Sequence, residues 1–169
     1  NVDLVIEAAF EEISVKLDIF KTLDSTCPPH AILATNTSAL SVSEIAQATK
    51  RADKVVGMHF FNPVHRMQLV EVVVGTQTSA ETTLRAVRFA QQLGKLPVVV
   101  KDRPGFLVNR IQAALMREVW DLLDQGVASA EDLDTAVRGA LGFRLAALGQ
   151  LEVGDFGGLD VHGAVFRNL

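Results

Sequence analysis

Short runs of branched apolar residues, separated by segments of helical periodicity, constrain the first hundred residues more than any other feature of this chain. Val2–Glu7 reads Val-Asp-Leu-Val-Ile-Glu, which suits a strand covered on both faces. Ala31–Thr35, Lys54–Phe60, Leu69–Val74 and Leu96–Val100 repeat the pattern. Amphipathic stretches lie between most of them. Ile13, Leu17, Phe20 and Leu23 share one face of a helix predicted over Glu11–Ser25, and Pro28 and Pro29 stop it. A short helix is predicted over Ser41–Ala48, where Ser41 and Glu44 have capping-box spacing. Another runs over Ser79–Leu93 and is closed by Gly94. The order β-α-β-α-β-β-α-β predicts an α/β layer with a largely parallel sheet.

After Lys101-Asp102-Arg103-Pro104-Gly105 the strand pattern disappears. Ile111, Leu115, Val119 and Leu122 recur at helical spacing over Val108–Gln125, and Ser129 caps a further helix through Leu133, Val137 and Leu141. The expected boundary follows residue 102, with an α/β part over 1–102 and an all-α part over 103–169. Composition fits this division. The 169 residues are 49% hydrophobic and 21% charged, as in globular domains. A net charge of -4 without a basic tract argues against a nucleic-acid or anionic-membrane partner. Cys27 is the only cysteine, which excludes an intrachain disulfide and a Cys-rich metal site. No apolar run reaches membrane-spanning length. A bacterial-type cytoplasmic or an organelle-matrix setting is the expectation.

Polar residues that interrupt apolar strands are the first candidates for chemistry, because burying them costs free energy unless they are paired. Ser38 follows the second strand, His59 lies near the end of the third, Glu71 sits inside Leu69-Val70-Glu71-Val72-Val73-Val74, and Asn109 opens the long helix. Ligands of open α/β sheets bind beyond the carboxyl ends of the strands, where Ser38 and His59 fall. A carboxylate that takes the proton of one imidazole nitrogen leaves the other free to accept a proton, as alcohol oxidation requires. Spacing alone leaves bland roles open. His59 fits a satisfied structural histidine, Glu71 a solvent-facing strand position, Ser38 a turn or cap, and Asn109 a helix start. Asn36-Thr37-Ser38 also spells a glycosylation sequon, which is discounted without a secretory signal.

Several words in order resemble the 3-hydroxyacyl-CoA dehydrogenase family. They are Asp3-Leu4-Val5-Ile6-Glu7-Ala8, Ala34-Thr35-Asn36-Thr37-Ser38, His59-Phe60-Phe61-Asn62-Pro63, Leu69-Val70-Glu71-Val72-Val73, Lys101 through Arg110, and Gly157-Gly158-Leu159-Asp160. The resemblance implies an incomplete Rossmann-type domain followed by a helical substrate and dimerisation domain. It implies reversible oxidation of an L-3-hydroxyacyl-CoA to the 3-ketoacyl-CoA, with NAD as hydride acceptor and a homodimer as the working form. His59 would be the base, Glu71 its orienting partner, and Ser38 and Asn109 the groups that hold the substrate oxygen. Glu11, Lys16, Ser38 and Asn62 would contact NAD. Without the resemblance, Glu11 and Lys16 read as a solvated first helical turn. Other nicotinamide-dependent β-hydroxyacid dehydrogenases share the layout but commonly place a lysine base where this chain has Asn109. A non-catalytic helical dimerisation module is the alternative outside enzymes.

The resemblance also implies a preceding strand and Gly-rich turn, yet no G-x-G-x-x-G word occurs in the sequence. The expectation is therefore a fragment that starts at the fourth strand of the dinucleotide-binding sheet. It would have an open sheet edge beside Val2–Glu7, a shortened helical part and weak NAD binding by itself. Gln150 stands where the family pattern leads one to expect proline.

Overall fold

The structure is a computed structural model and describes residues 2–167. Its five strands are β1 (Leu4–Glu7), β2 (Ile32–Thr35), β3 (Val55–Phe60), β4 (Leu69–Val74) and β5 (Leu96–Lys101), and they form one sheet in sequence order. Three connections are right for parallel pairing. Helix α1 (Ile13–Thr26) links β1 to β2, α2 (Val42–Ala46) with a 3-10 turn at Ala52–Lys54 links β2 to β3, and α3 (Ala80–Gln92) links β4 to β5.

The β3–β4 pair is antiparallel. Residues 61–68 are too few for a crossover, which needs roughly a dozen or more residues, so the chain turns back as a hairpin. The reversal brings the amino end of β4 to the carboxyl ends of β1, β2 and β3. As predicted, β1 is an edge strand, paired only with β2 among the described residues.

Alternation along the strands divides the core into two layers. Leu33, Val55 and Val73 pack with Phe20, Val42, Ile45 and Phe106 on the face covered by α1 and α2. Ile32, Ala34, Val56, Met58, Val70 and Val72 pack with Ala86 and Ala90 of α3 on the other. Gly57 makes the first layer possible, because a Cβ there would lie 2.7 Å from Val73 Cβ and 2.9 Å from Val42 Cγ2. Only hydrogen fits where α2 crosses β3.

The predicted cap at Ser41 forms, and Ser79 caps α3 in the same way. Ser41 accepts from the Glu44 amide (3.2 Å) and Ser79 from the Thr82 amide (3.1 Å). Helix α1 begins at Ile13, two residues later than predicted, because Glu11 turns its carboxylate to the loop after β2 instead of joining the first turn.

The chain divides into two compact units, Asn1–Ala113 and Ala114–Leu169. The division falls inside α4 (Val108–Asp124), downstream of the composition change at residue 102. Side-chain anchors explain the shift, since Phe106 packs in the sheet's core and Glu71 holds the amides of Leu107 and Val108. The second unit carries the rest of α4 and α5 (Ala130–Ala136), which runs on through a π-helical stretch (Val137–Gly142) into α6 (Phe143–Leu145). Helices α7 (Gln150–Gly157) and α8 (Leu159–Phe166) complete it. Ser129 caps α5 as predicted, accepting from the Asp132 amide at 3.1 Å. Gln150 is the first residue of α7, the position where proline is favoured.

Candidate active site

All four polar residues singled out in the strands and at the helix start lie at one end of the sheet. His59 and Glu71 are register partners across the β3–β4 hairpin, on the face shared by Val55, Gly57 and Val73. Glu71 is completely buried and His59 is 4% exposed. A carboxylate buried in a run of valines would be strongly destabilising without partners, and this one has three. Its Oε2 lies 2.7 Å from His59 Nδ1, and its Oε1 accepts from the Leu107 amide at 3.0 Å and the Val108 amide at 2.9 Å. The amides belong to the amino terminus of α4, where unpaired N–H groups and the helix dipole favour negative charge.

A carboxylate only accepts, so His59 carries its proton on Nδ1. His59 Nε2 hydrogen-bonds no described residue, and no buried side-chain nitrogen or oxygen is left unpaired among the described residues. The small exposed part of the ring therefore includes Nε2. Phe61 and Phe106 flank the imidazole with ring centroids at 4.5 and 5.8 Å. They fix its plane and keep bulk water from its sides. Phe106 does this from a left-handed backbone conformation (φ 48°) just after Gly105 (φ 72°), a costly geometry for a bulky residue.

Ser38 and Asn109 meet through the main chain, where Asn109 Nδ2 donates to Ser38 O at 3.0 Å. The Ser38 hydroxyl has no hydrogen-bond partner among the described residues and is half-buried. Ser38 is held from its other side as well. Glu11 Oε1 accepts from the Ser38 and Ala39 amides (2.7 and 3.1 Å) and from the Thr37 hydroxyl. Burial works to raise the Glu11 carboxyl, but the Thr37 hydroxyl, the two amides and the nearby Lys16 ammonium outweigh it. They hold it below the ordinary carboxylate range.

Lys16 is not a solvated first-turn residue. It is 1% exposed, and its ammonium binds Glu7 Oε1 at 2.8 Å and lies 3.5 Å from Glu11 Oε2. Asn62 is exposed in the loop after β3, at the cis Asn62–Pro63 bond.

Strand-interruption reasoning passed over three contributors. Glu7 ends β1 as a buried carboxylate and obeys the same rule that picked out Glu71. Asn36, given no role of its own in the sequence reading, accepts from the Phe60 amide at 2.9 Å and ties the end of β2 to the end of β3. Phe106 carries no polar atom to attract notice.

A family model described as 3-hydroxyacyl-CoA dehydrogenase, NAD binding domain, matches residues 1–103. A second, 3-hydroxyacyl-CoA dehydrogenase, C-terminal domain, matches residues 105–169. The chain belongs to the 3-hydroxyacyl-CoA dehydrogenase family. The 3-hydroxybutyryl-CoA dehydrogenase of Clostridioides difficile is 47% identical over 169 residues, covering 100% of this chain and 59% of that protein. The mitochondrial hydroxyacyl-coenzyme A dehydrogenase of Homo sapiens is 45% identical over 160 residues, 95% of this chain and 50% of that one. A solved 5-formyl-3-hydroxy-2-methylpyridine 4-carboxylic acid 5-dehydrogenase, described as an NAD+-dependent dismutase, superposes with a TM-score of 0.93. It is 38% identical and covers 96% of this chain and 53% of that one. The chain thus spans about half the length of the curated relatives it matches.

The described residues of this dehydrogenase-family chain offer hydrogen-bonding groups where a sheet of this kind binds its cofactor. Glu11, Ser38 and Asn62 lie just beyond the carboxyl ends of β1, β2 and β3, where such sheets bind ligands. The Glu11 side chain is 42% exposed and held in its charged, hydroxyl-accepting form. The exposed Asn62 offers an amide.

Proposed function

We propose that this chain carries the alcohol-oxidising site of an NAD-dependent L-3-hydroxyacyl-CoA dehydrogenase, acting in fatty-acid β-oxidation or related acyl-CoA metabolism. One observation carries the reading. His59 is locked by a fully buried carboxylate into the tautomer whose free nitrogen opens at the carboxyl end of the sheet. NAD, when bound, supplies the hydride acceptor. The chain's own residues manage the proton and the oxygen. His59 Nε2 takes the proton of the C3 hydroxyl, and Glu71 stabilises the imidazolium that results. The free hydroxyl of Ser38 and the amide of Asn109 steady the substrate oxygen. Glu11 and Asn62 position the cofactor's ribose and nicotinamide, and Lys16 acts on that side through Glu11.

A homodimer formed through the helical unit belongs to the same reading. Trp120, Phe143, Leu151, Phe156, Leu159 and Phe166 are all exposed there, and apolar surface of this kind marks association.

The test is NAD reduction with L-3-hydroxybutyryl-CoA by the protein that carries this chain, compared with its His59→Gln variant. The variant is expected to turn over about 10²–10⁴-fold more slowly. Wild-type turnover in it would remove His59 from the mechanism. The structural likeness to the pyridine dehydrogenase favours a second substrate class, formyl pyridine carboxylates. Preference for such a compound over the acyl-CoA would select that class while keeping the His59 chemistry.

A further inference from the structure

We propose that Glu7 is a positioning residue for Ser38. Its buried carboxylate holds the Lys16 ammonium, and Glu11 is left free to pin the loop that carries Ser38. The inference deepens the dehydrogenase reading and rests on it for its catalytic consequence.

The geometry forms one connected path. Glu7 is enclosed at the end of β1 and fully used. Its Oε1 accepts from the Ala9 amide (2.6 Å) and Lys16 Nζ (2.8 Å), and its Oε2 from Thr35 Oγ1 (2.8 Å) and Lys16 Nζ (3.1 Å). Lys16 therefore lies closer to Glu7 than to Glu11, whose Oε2 is 3.5 Å away. The remaining oxygen of Glu11 is given to Thr37, Ser38 and Ala39. Ser38 O in turn receives Asn109 Nδ2. A buried ammonium deprived of its nearest carboxylate takes the next one, because an unpaired charge in this environment is costly. Without Glu7, that next carboxylate is Glu11. Drawing Glu11 toward Lys16 releases the Ser38 and Ala39 amides, and small displacements at a reacting site cost rate steeply.

The test reads backbone amide exchange in the ligand-free protein together with steady-state kinetics. Glu7→Gln keeps shape and removes charge. It is expected to speed exchange at Ser38 and Ala39 about tenfold while Leu33 and Val56 in the core stay as in wild type. It should also lower kcat/KM for L-3-hydroxybutyryl-CoA by about tenfold. The double variant Glu7→Gln/Lys16→Gln removes the competing ammonium, and slow exchange at Ser38 and Ala39 is expected to return.

Persistent fast exchange in the double variant overturns the proposal, and so does exchange that rises equally at Leu33 and Val56. If Glu7→Gln does not fold, Glu7→Asp decides. It keeps the charge but withdraws it by one methylene, so selective acceleration at Ser38 and Ala39 is expected, and its absence overturns the proposal. Failure of the wild-type protein to oxidise acyl-CoA would sink the functional reading instead, because the exchange data are gathered without substrate.

Discussion

Replacing Glu71 with glutamine asks which of two jobs the residue does first. The wild-type carboxylate faces three donors: His59 Nδ1 on one oxygen, and the Leu107 and Val108 amides on the other. Glutamine has one accepting oxygen and one donating nitrogen, so it can satisfy only one side. Each hydrogen bond to a charged group contributes about 1.5–3 kcal/mol, and two fixed amides outweigh one imidazole. The oxygen therefore stays with α4 and the amide nitrogen turns to His59. Nδ1 must then accept, and the imidazole proton moves to Nε2, the atom that receives the substrate proton in the proposed reaction. The fold is kept and the base is lost. Turnover is expected to fall about 10²–10⁴-fold, equivalent to about 2.7–5.5 kcal/mol of barrier. NADH affinity and the urea midpoint should change little. The assay pairs steady-state NADH formation from L-3-hydroxybutyryl-CoA with NADH fluorescence titration and urea unfolding. Turnover within about threefold of wild type, less than ~0.7 kcal/mol of barrier, would refute the tautomer argument. A collapse of stability would show that the α4 amides need the charge and not only an accepting oxygen.

Three further outcomes follow from the same geometry. Phe106→Ala removes a buried ring from both the core and the side of His59, and should destabilise by about 3–5 kcal/mol in urea unfolding as well as slow turnover. Glu11 has a folded pKa below its ordinary value, so its contribution to stability is present above the ordinary carboxylate range and is lost as pH falls through the lower folded value. Glu11→Gln should flatten that acid limb in urea unfolding measured across pH, and an unchanged limb would contradict the assignment. Asp102 Oδ2 accepts from Ser41 Oγ, the Ser43 amide and Ser43 Oγ at 2.9, 2.8 and 2.6 Å. Asp102→Ala should cost about 2 kcal/mol by loosening the start of α2, with little effect on the pH–rate profile.

The layer order, the five strands and the helices up to α5 were legible in the sequence, because strand and helix periods are local signals, whereas α7 and α8 were not read in advance. Ser41 and Ser129 cap the helices they were expected to cap, and Ser79 caps α3 without having been singled out for it. The antiparallel turn of β4 was not stated in advance, although the short 61–68 connection implies it. The His59–Glu71 pair was legible because a charged residue inside a valine run demands a partner, and the neighbouring strand offered one. What escaped notice depends on contacts between distant segments. That Glu71 also holds the start of α4, that Lys16 is spent on Glu7, and that Asn109 reaches the Ser38 carbonyl can be seen only once the chain is folded. The composition change at residue 102 likewise gave no sign that Phe106 anchors in the core of the first unit.

Because β4 doubles back on β3, the proposed acid–base pair is a short-range object. His59 and Glu71 stand twelve positions apart along the chain, joined by a tight return instead of a helical crossover. Contacts at such small separation close quickly and at low entropic cost, so the proton-handling unit can assemble before the remoter ends of the chain find each other. It also travels as a single piece. A graft of this one hairpin into a related scaffold would carry base and orienter together, leaving the two α4 amides and the Phe106 ring for the host to provide.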